Sequence, residues 1–410
     1  MRILLINNQH HSKGGAHAVY LNTAELLKKH GHEVFFFAQK DEKVLSYEYA
    51  DYFPAGKDYR KLSLVSKINS IEKFVYNKEA YHKIKEYINV IKPDIAHVHL
   101  FMGGLTVSIL KALKENNIPV VHTVHDYRLI CPAYLFLNGK NQLCDKCKKN
   151  KYYNCIKNKC SENKLSQSTI LALDSYNRLL FYKPQNYIDR YIFVSDFAKK
   201  KHIEFEYDTK SKMSRVYNFM PNIDEIKPQK AKGDYMLYLG RLSREKGVST
   251  LIEAQKKMNF KLKVAGTGPL LENYQTNEDE NVQFLGFQSG ENLINLIQRA
   301  SFIIVPSEWY ENNPMSIIES YAYGKPVIGA NIGGIPEIVQ NNQTGFLFES
   351  GNVDSLREAI KKAIDLGFED YEQMAINARN FAVENFSPQI HYSSLIQLYE
   401  QTIKIKCKSK

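Results

Sequence analysis

The chain should fold as an α/β protein with parallel sheets, divided into two domains. Short apolar strand patterns alternate with helical ones along the whole sequence, the order that builds βαβ units. At 410 residues it is longer than one hydrophobic core comfortably serves, and two or three domains are expected. Residues 222–233 form a polar stretch bearing proline and lysine, the composition of a domain boundary. The domains are therefore expected over residues 1–225 and from residue 226 onward.

The elements follow in order. Residues 2–7 read as a buried first strand, 8–15 as a polar loop and 16–30 as an amphipathic helix, with Gly31 as its C-terminal cap. Residues 33–38, 95–99, 120–124 and 191–194 read as further strands, the last running into the helix-capping pair Ser195-Asp196. In the second half, 235–240, 260–265, 282–286 and 302–307 are strands. Each is followed by a polar or glycine-bearing loop and then helical periodicity. No internal repeat of fixed period is visible.

Residues 306–327 carry the densest chemistry. Glu311 stands in a polar Asn312-Asn313-Pro314 turn after a buried strand, and Glu319 follows eight residues later in an apolar helical run. A loop of this kind sits at the carboxyl edge of a parallel sheet, where open α/β folds bind ligands. The helix start offers N–H groups to an anion, and a carboxylate inside the helix can accept two sugar hydroxyls. Two other strand ends add Gly240-Arg241-Leu242 with Lys246-Gly247, and Gly266-Thr267-Gly268-Pro269. Arg241 and Lys246 are the cations a diphosphate needs, and the glycines let backbone approach a phosphate.

Together these motifs, with Gly324-x-Pro326-Val327, Gly333-Gly334-x-x-Glu337 and Thr344-Gly345-Phe346-Leu347, resemble the retaining glycosyltransferases of family 4. The resemblance implies the GT-B fold, two Rossmann-like β/α/β domains facing across a cleft. It also implies that a last helix, about 388–410, crosses back to the N-terminal domain, so the nucleotide-sugar domain spans 226–387. It implies that Arg241 and Lys246 hold the donor diphosphate, Glu319 the ribose and Glu311 the donor sugar. Gly266, Gly268, Asn312, Asn313 and Pro314 would line that site. In the N-terminal domain, Gly14 and Gly15 would stand against donor and acceptor. His125, at the end of the 120–124 strand, would bond the sugar. His97 and His99 are weaker candidates for an acceptor surface. Transfer would proceed by front-face attack with retention, without a catalytic metal and without the carboxylate nucleophile of hydrolases, as the domains close over the donor and exclude water.

Charge is unevenly spread. Residues 1–225 hold 35 Lys and Arg against 23 Asp and Glu, or +12, and the remainder 20 against 21, or −1. Such a field suits an anionic surface. A membrane leaflet bearing a lipid-linked or polysaccharide acceptor fits it; no nucleic-acid motif accompanies the charge, so no nucleic-acid partner is expected. The basic, amphipathic stretch 57–85 could lie in a membrane interface or pack into the core, while the apolar residues Leu165, Ile170, Leu173, Tyr176, Leu180 and Phe181 read as core. No apolar run reaches the ~18–20 residues needed to span a bilayer, and the first strand is too short for a signal peptide. A cytoplasmic protein, peripheral on the inner face of the membrane, is expected.

Five cysteines crowd residues 131–160: Cys131, Cys144, Cys147, Cys155 and Cys160. Cys144-x2-Cys147 has metal-chelating spacing, which Cys155 and Cys160 could complete as a structural zinc site, with Cys131 as a substitute ligand. Free thiols in a basic insertion are the other reading. Two further functions remain open at this level: a GT-B-like sugar-nucleotide epimerase or hydrolase, and a non-catalytic nucleic-acid-binding protein.

Overall fold

The structure, a computed structural model, describes residues 1–11, 14–40, 45–56, 71–207, 212–258, 260–275 and 280–408. The chain forms two compact units. One comprises 1–194, 198–216 and 392–410; the other comprises 195–197 and 217–391.

The first unit is built on a six-stranded sheet: β1 (Arg2–Gln9), β2 (Glu33–Gln39), β3 (Ile95–Val98), β4 (Val120–Val124), β5 (Arg190–Phe193) and β6 (Met213–Arg215). Their order is β2-β1-β3-β4-β5-β6, and every neighbouring pair is parallel. Ile3, Leu4, Leu5 and Ile6 of β1 are fully buried, as expected of a strand covered on both faces. The chain leaves β1 for β2 on one side and returns as β3 on the other. The loops after β1 and β3 therefore diverge at the carboxyl edge, the crevice where such sheets take ligands.

The second unit repeats the plan with β7 (Tyr235–Leu239), β8 (Leu262–Ala265), β9 (Val282–Gly286), β10 (Ala300–Val305), β11 (Val327–Ala330) and β12 (Gly345–Phe348). The order is β12-β11-β10-β7-β8-β9, again all parallel. Its switch point lies between β7 and β10. β11 and β12 overlap two of the motifs that carry the family resemblance and are not among the strands expected from the sequence, nor is β6.

The helix Pro388–Lys408 is shared between the units. From Tyr392 it belongs to the first. There Tyr399, fully buried, bonds His97 Nδ1 at 2.6 Å, and Tyr392 bonds His32 at 2.9 Å. His97 also bonds Thr123 on β4 at 2.7 Å. It is thus a buried tie between strand and helix, not a surface group.

The structure bears on two amphipathic segments. Residues 57–70 of the basic stretch lie outside the described residues. Beyond them, helix Lys78–Ile91 buries Ala80, Ile84, Tyr87, Ile88 and Ile91, so that part packs into the core. Helix Leu165–Leu180 does the reverse of what its apolar residues suggested. Leu165, Leu173, Leu180 and the adjoining Phe181 are exposed, Phe181 by 72 %. The buried face carries Ser168, Asp174, Ser175 and Arg178 instead. The cause is the ion pair of Arg178 Nε with Asp174 at 3.0 Å and the bond from Arg178 to Ser175 at 3.1 Å. A buried charge pair needs both partners inside, which turns the leucines outward. No helix among the described residues is long and apolar enough to cross a membrane.

Tyr399→Phe removes the buried bond to His97 at nearly constant shape. It should lower stability by about 1–2 kcal/mol, read as a fall in the thermal midpoint. An unchanged midpoint would show that the bond adds nothing to the docking of the last helix.

Candidate active site

The second unit's switch point gathers the predicted cation and the first predicted carboxylate. β7 ends at Leu239, and the chain passes through Gly240–Ser243 and a 3-10 turn, Arg244–Lys246, into helix Val248–Lys256. Gly247 caps that helix in the left-handed region, with φ 68°. A Cβ there would lie 1.7 Å from the Pro306 carbonyl oxygen, so only glycine lets the loops after β7 and β10 touch. Across that contact Lys246 Nζ donates to Glu311 Oε1 at 2.6 Å. Ser307 Oγ donates to the same oxygen at 2.8 Å. The indole ring of Trp309 lies 5.0 Å from the Lys246 ammonium, within cation–π range.

Glu311 is buried, 6 % exposed; a carboxylate so placed needs a compensating charge, which Lys246 supplies. One of the three ammonium N–H groups of Lys246 goes to Glu311, leaving two for another ligand. The Glu311 backbone is fixed from a second side. Gly334 N–H donates to its carbonyl at 2.7 Å, and a Cβ on Gly333 would lie 2.6 Å from its nitrogen.

The remaining predicted residues fall into distinct roles. Arg241 is exposed, and its carbonyl accepts from Tyr238 Oη at 2.8 Å. Gly266 and Gly268 pack the loop after β8 onto the loop after β7: Cβ atoms there would lie 1.8 Å from Gly240 O and 2.3 Å from Leu242 O. Leu242 N–H completes the contact by donating to Thr267 O at 3.0 Å. The glycines thus serve loop-on-loop packing, beyond any phosphate approach. Asn312 and Asn313 are buried. Asn313 Oδ1 accepts from Asn218 N–H at 2.8 Å and its carbonyl from Asn218 Nδ2 at 3.1 Å, anchoring the turn. Pro314 is the N-cap residue of helix Met315–Ala322.

Glu319 lies in that helix. Among the described residues no hydrogen bond or ion pair is made to its carboxylate. The residue keeps some solvent contact, yet burial pushes the carboxyl up to about 7 from an ordinary 4.5. This is a partly enclosed acceptor with its lone pairs unspent.

In the first unit Gly14 caps helix Gly15–Lys29 with φ 105°, at the start of the helix that follows β1. His125 follows β4, and its Nε2 shares a 2.8 Å hydrogen bond with His99 Nδ1. Burial holds His125 down to about 3, so its ring is neutral at physiological pH and a weak base. His99 is 1 % exposed; it supports His125 from beneath and does not itself line a surface. Sequence reasoning missed Ser307 and Trp309. Ser307 was visible only as the end of a strand, and a lone tryptophan carries no spacing signal.

The elevated Glu319 value has a sign that can be checked. A carboxyl whose folded pKa lies above its unfolded one stabilises the fold below about pH 4.5 and loses that contribution as pH rises through about 7. Glu319→Gln should therefore raise the thermal midpoint of the ligand-free protein at pH 8, by on the order of 1 kcal/mol. At pH 4.5–5 it should leave the midpoint nearly unchanged. Equal effects at both pH values would show that the carboxyl is not desolvated.

Comparison with known proteins bears on this geometry directly. Residues 13–221 match the family model "Glycosyltransferase Family 4", and residues 219–381 match "Glycosyl transferases group 1". An uncharacterized glycosyltransferase of Methanocaldococcus jannaschii is 26% identical over 74% of this chain and 83% of its own. A lipopolysaccharide 1,2-N-acetylglucosaminetransferase of Salmonella typhimurium is 28% identical over 41% of this chain and 48% of its own. Among solved structures, Anabaena HepE in complex with UDP superposes with a TM-score of 0.64 at 18% identity, over 98% of this chain and 100% of that one. Sheet order, strand-edge loops and family models agree, and the chain belongs to glycosyltransferase family 4, a glycosyltransferase of GT-B fold.

Proposed function

We propose that this glycosyltransferase takes its sugar from a nucleoside diphosphate sugar, UDP- or GDP-linked. It passes the sugar, with retention at the anomeric carbon, to a saccharide or lipid-linked saccharide in cell-surface polysaccharide synthesis. The observation that carries the donor reading is the Lys246–Glu311 pair at the β7/β10 switch point, with the unpartnered Glu319 carboxyl on the next helix. The solved neighbour that holds UDP has the same overall fold, and one relative is by name a lipopolysaccharide sugar transferase.

The residues divide the work. The two remaining N–H groups of Lys246, with Arg241, hold the diphosphate as its charge grows on leaving. Glu319 accepts the two ribose hydroxyls. Glu311 Oε1 is occupied by Lys246 and Ser307, which leaves Oε2 to accept from a hydroxyl of the donor sugar. His125, neutral, bonds the sugar and does not serve as the base. A phosphate oxygen of the donor takes the acceptor proton, so neither carboxylate needs to act as nucleophile. Charge stabilisation by protein cations also makes a catalytic metal unnecessary.

Two features support an acceptor at an anionic membrane surface. Residues 1–225 carry the +12 balance, and helix Leu165–Leu180 turns Leu165, Leu173 and Leu180 outward. That helix follows an insertion carrying Lys146, Lys148, Lys149, Lys151, Lys157 and Lys159. An apolar strip beside lysines suits insertion among anionic headgroups.

The direct test is turnover with a panel of sugar nucleotides and a lipid-linked acceptor extract. A glycoside product should appear along with free nucleotide; nucleotide release without any glycoside would favour a hydrolase or epimerase instead. Glu311→Ala and Arg241→Ala should each lower the rate by at least ~100-fold, the scale of one lost transition-state electrostatic contact. The rate should persist in excess EDTA. A rate abolished by EDTA and restored by Mg²⁺ or Mn²⁺ contradicts the metal-free reading.

Membrane docking is checked separately. Sedimentation should show binding to phosphatidylglycerol vesicles, little to neutral ones, and loss of binding as salt shortens the Debye length from about 10 Å toward 3 Å. Leu173→Asp with Leu180→Asp should weaken it at least ~10-fold, about 1.4 kcal/mol or more. Equal partitioning onto both vesicle types, or onto neither, points to a soluble acceptor.

A further inference from the structure

The loops after β3 and β4 meet at the carboxyl edge of the first sheet, and an arginine joins them. Arg128 stands three residues after His125, in the loop that leaves β4. Its Nη1 donates to the Met102 carbonyl, in the loop after β3, at 3.1 Å. Asn8, near the end of β1, donates from Nδ2 to the same oxygen at 2.9 Å. Three neighbouring strands, β1, β3 and β4, thus send groups to one carbonyl, beside the switch point between β1 and β3.

The backbone around Arg128 bends to admit it. Gly103 is left-handed, with φ 77°, and a Cβ there would lie 3.2 Å from Arg128 Nη1. Thr106, in the same loop, has φ 64°, a rare state for a β-branched residue. Its N–H closes the loop on Phe101 O at 2.6 Å. On the other side the guanidinium carbon lies 4.8 Å from the centre of the Tyr134 ring, within cation–π range. Tyr134 is itself left-handed, with φ 56°. Backbone of this kind persists where its surroundings enforce it, and it gathers at ligand sites. Tyr134 belongs to the cysteine-bearing insertion. Among the described residues no group of three or more His, Cys, Asp or Glu is placed to hold a metal; what the insertion brings to this edge is an aromatic platform.

The guanidinium is fixed in place but not neutralised. Among the described residues its partners are the Met102 carbonyl and the Tyr134 ring, with no carboxylate. Asp126, two residues away, accepts instead from the Arg128 backbone N–H at 2.9 Å. Arg128 is half-buried. Its Nε is buried without a hydrogen-bond partner, while Nη2 is not buried and makes no bond within the protein. Arginines drawn out of water are ordinarily paired. A planar guanidinium held rigid is matched to a carboxylate or phosphate, with little side-chain entropy left to lose. A loop staple alone would need only a neutral donor at the Met102 carbonyl.

We propose that Arg128 is the acid-recognising group of the acceptor site. The acceptor carries a carboxylate or phosphate near the hydroxyl that takes the sugar, and Arg128 Nη2 donates to it. This rests on the reading of the first unit as the acceptor side. An anion held at Arg128 sets the orientation of the sugar attached to it, and so selects which hydroxyl is presented to the donor. The acceptor class narrows from saccharides in general to acidic ones, either uronates or sugars bearing phosphate.

The test is ligand-observed NMR titration of the full chain, without nucleotide, using methyl glucuronide, glucose 6-phosphate and neutral methyl glucoside. At least one acidic probe should bind at least ~10-fold more tightly than the neutral one, the scale of one charge-assisted hydrogen bond. Preference for the glucuronide identifies a uronate as the acid; preference for the phosphate identifies a phosphate-bearing sugar. Arg128→Gln should bring the acidic probe down to the level of the neutral one and leave the neutral one unchanged, with the fold checked by circular dichroism. Arg128→Lys, which keeps the charge but loses the planar fork, should retain part of the preference. Equal binding of acidic and neutral probes to the wild type overturns the proposal, as does no binding of either acid. So does an acid preference that survives in both variants, or an equal loss of all three probes in a folded Arg128→Gln, which would leave Arg128 a loop staple. Should Arg128→Gln fail to fold, the wild-type comparison and Arg128→Lys decide. No nucleotide is present, so failure of the second unit to bind UDP or GDP would count against the donor reading and leave this result standing.

Discussion

The second unit's site depends on one constraint: a nearly fully buried carboxylate, Glu311, must be neutralised where the β7 and β10 loops meet. Lys246 meets that need at 2.6 Å, and much of the local sequence serves the meeting. Gly247 removes the side chain that would hold the two loops apart, Ser307 adds a donor to the same oxygen, and Trp309 covers the ammonium. Gly333 and Gly334 let a third loop reach the Glu311 backbone. Removing Lys246 would leave the buried Glu311 carboxylate without its compensating charge. In the proposed reading the pair would stand ready before a donor arrives, leaving little rearrangement for the moment of reaction.

The carboxyl edges of the two sheets carry different groups. In the second, charge is concentrated: a paired Glu311, an exposed Arg241 and a carboxyl at Glu319 whose protonation changes near neutrality. In the first, the corresponding edge carries imidazoles, His125 hydrogen-bonded to His99 and His97 tied to Tyr399. Cations and carboxylates suit a diphosphate and a ribose. Neutral ring nitrogens suit sugar hydroxyls, which need donors and acceptors without a strong charge. This division follows from burial. The first unit's histidines are enclosed by β-sheet and helix, and desolvation keeps His125 uncharged.

Much of this was legible in the sequence. Alternating strand and helix patterns give the α/β class, and glycine-marked strand ends give the loops that carry Arg241, Lys246 and Glu311. The short motifs, taken together, point to the family. What stayed hidden depended on partners distant in the chain. The Lys246–Glu311 pair joins residues 65 positions apart, and spacing cannot show which cation a carboxylate will choose. Gly266 and Gly268 are visible as glycines, but their service to loop packing appears only when Gly240 and Leu242 are placed against them. Helix Leu165–Leu180 misled because apolar periodicity does not say which face turns inward; the Asp174–Arg178 pair decides it. β11 and β12 coincide with motifs read for the family resemblance, which drew attention away from their strand character.

The central claim is that the β7/β10 edge, with Glu319 beside it, is a nucleotide site. Trp309 is the single tryptophan of the chain and lies against Lys246, so its emission reports on that edge. The decisive measurement is titration of UDP and of GDP onto the wild type and onto Glu319→Ala, followed by Trp309 fluorescence, with circular dichroism confirming that both are folded. The account predicts a saturable change with at least one nucleotide in the wild type and no detectable binding in Glu319→Ala. Wild-type affinity in the variant for every nucleotide that binds, or no nucleotide binding to the wild type, would contradict it.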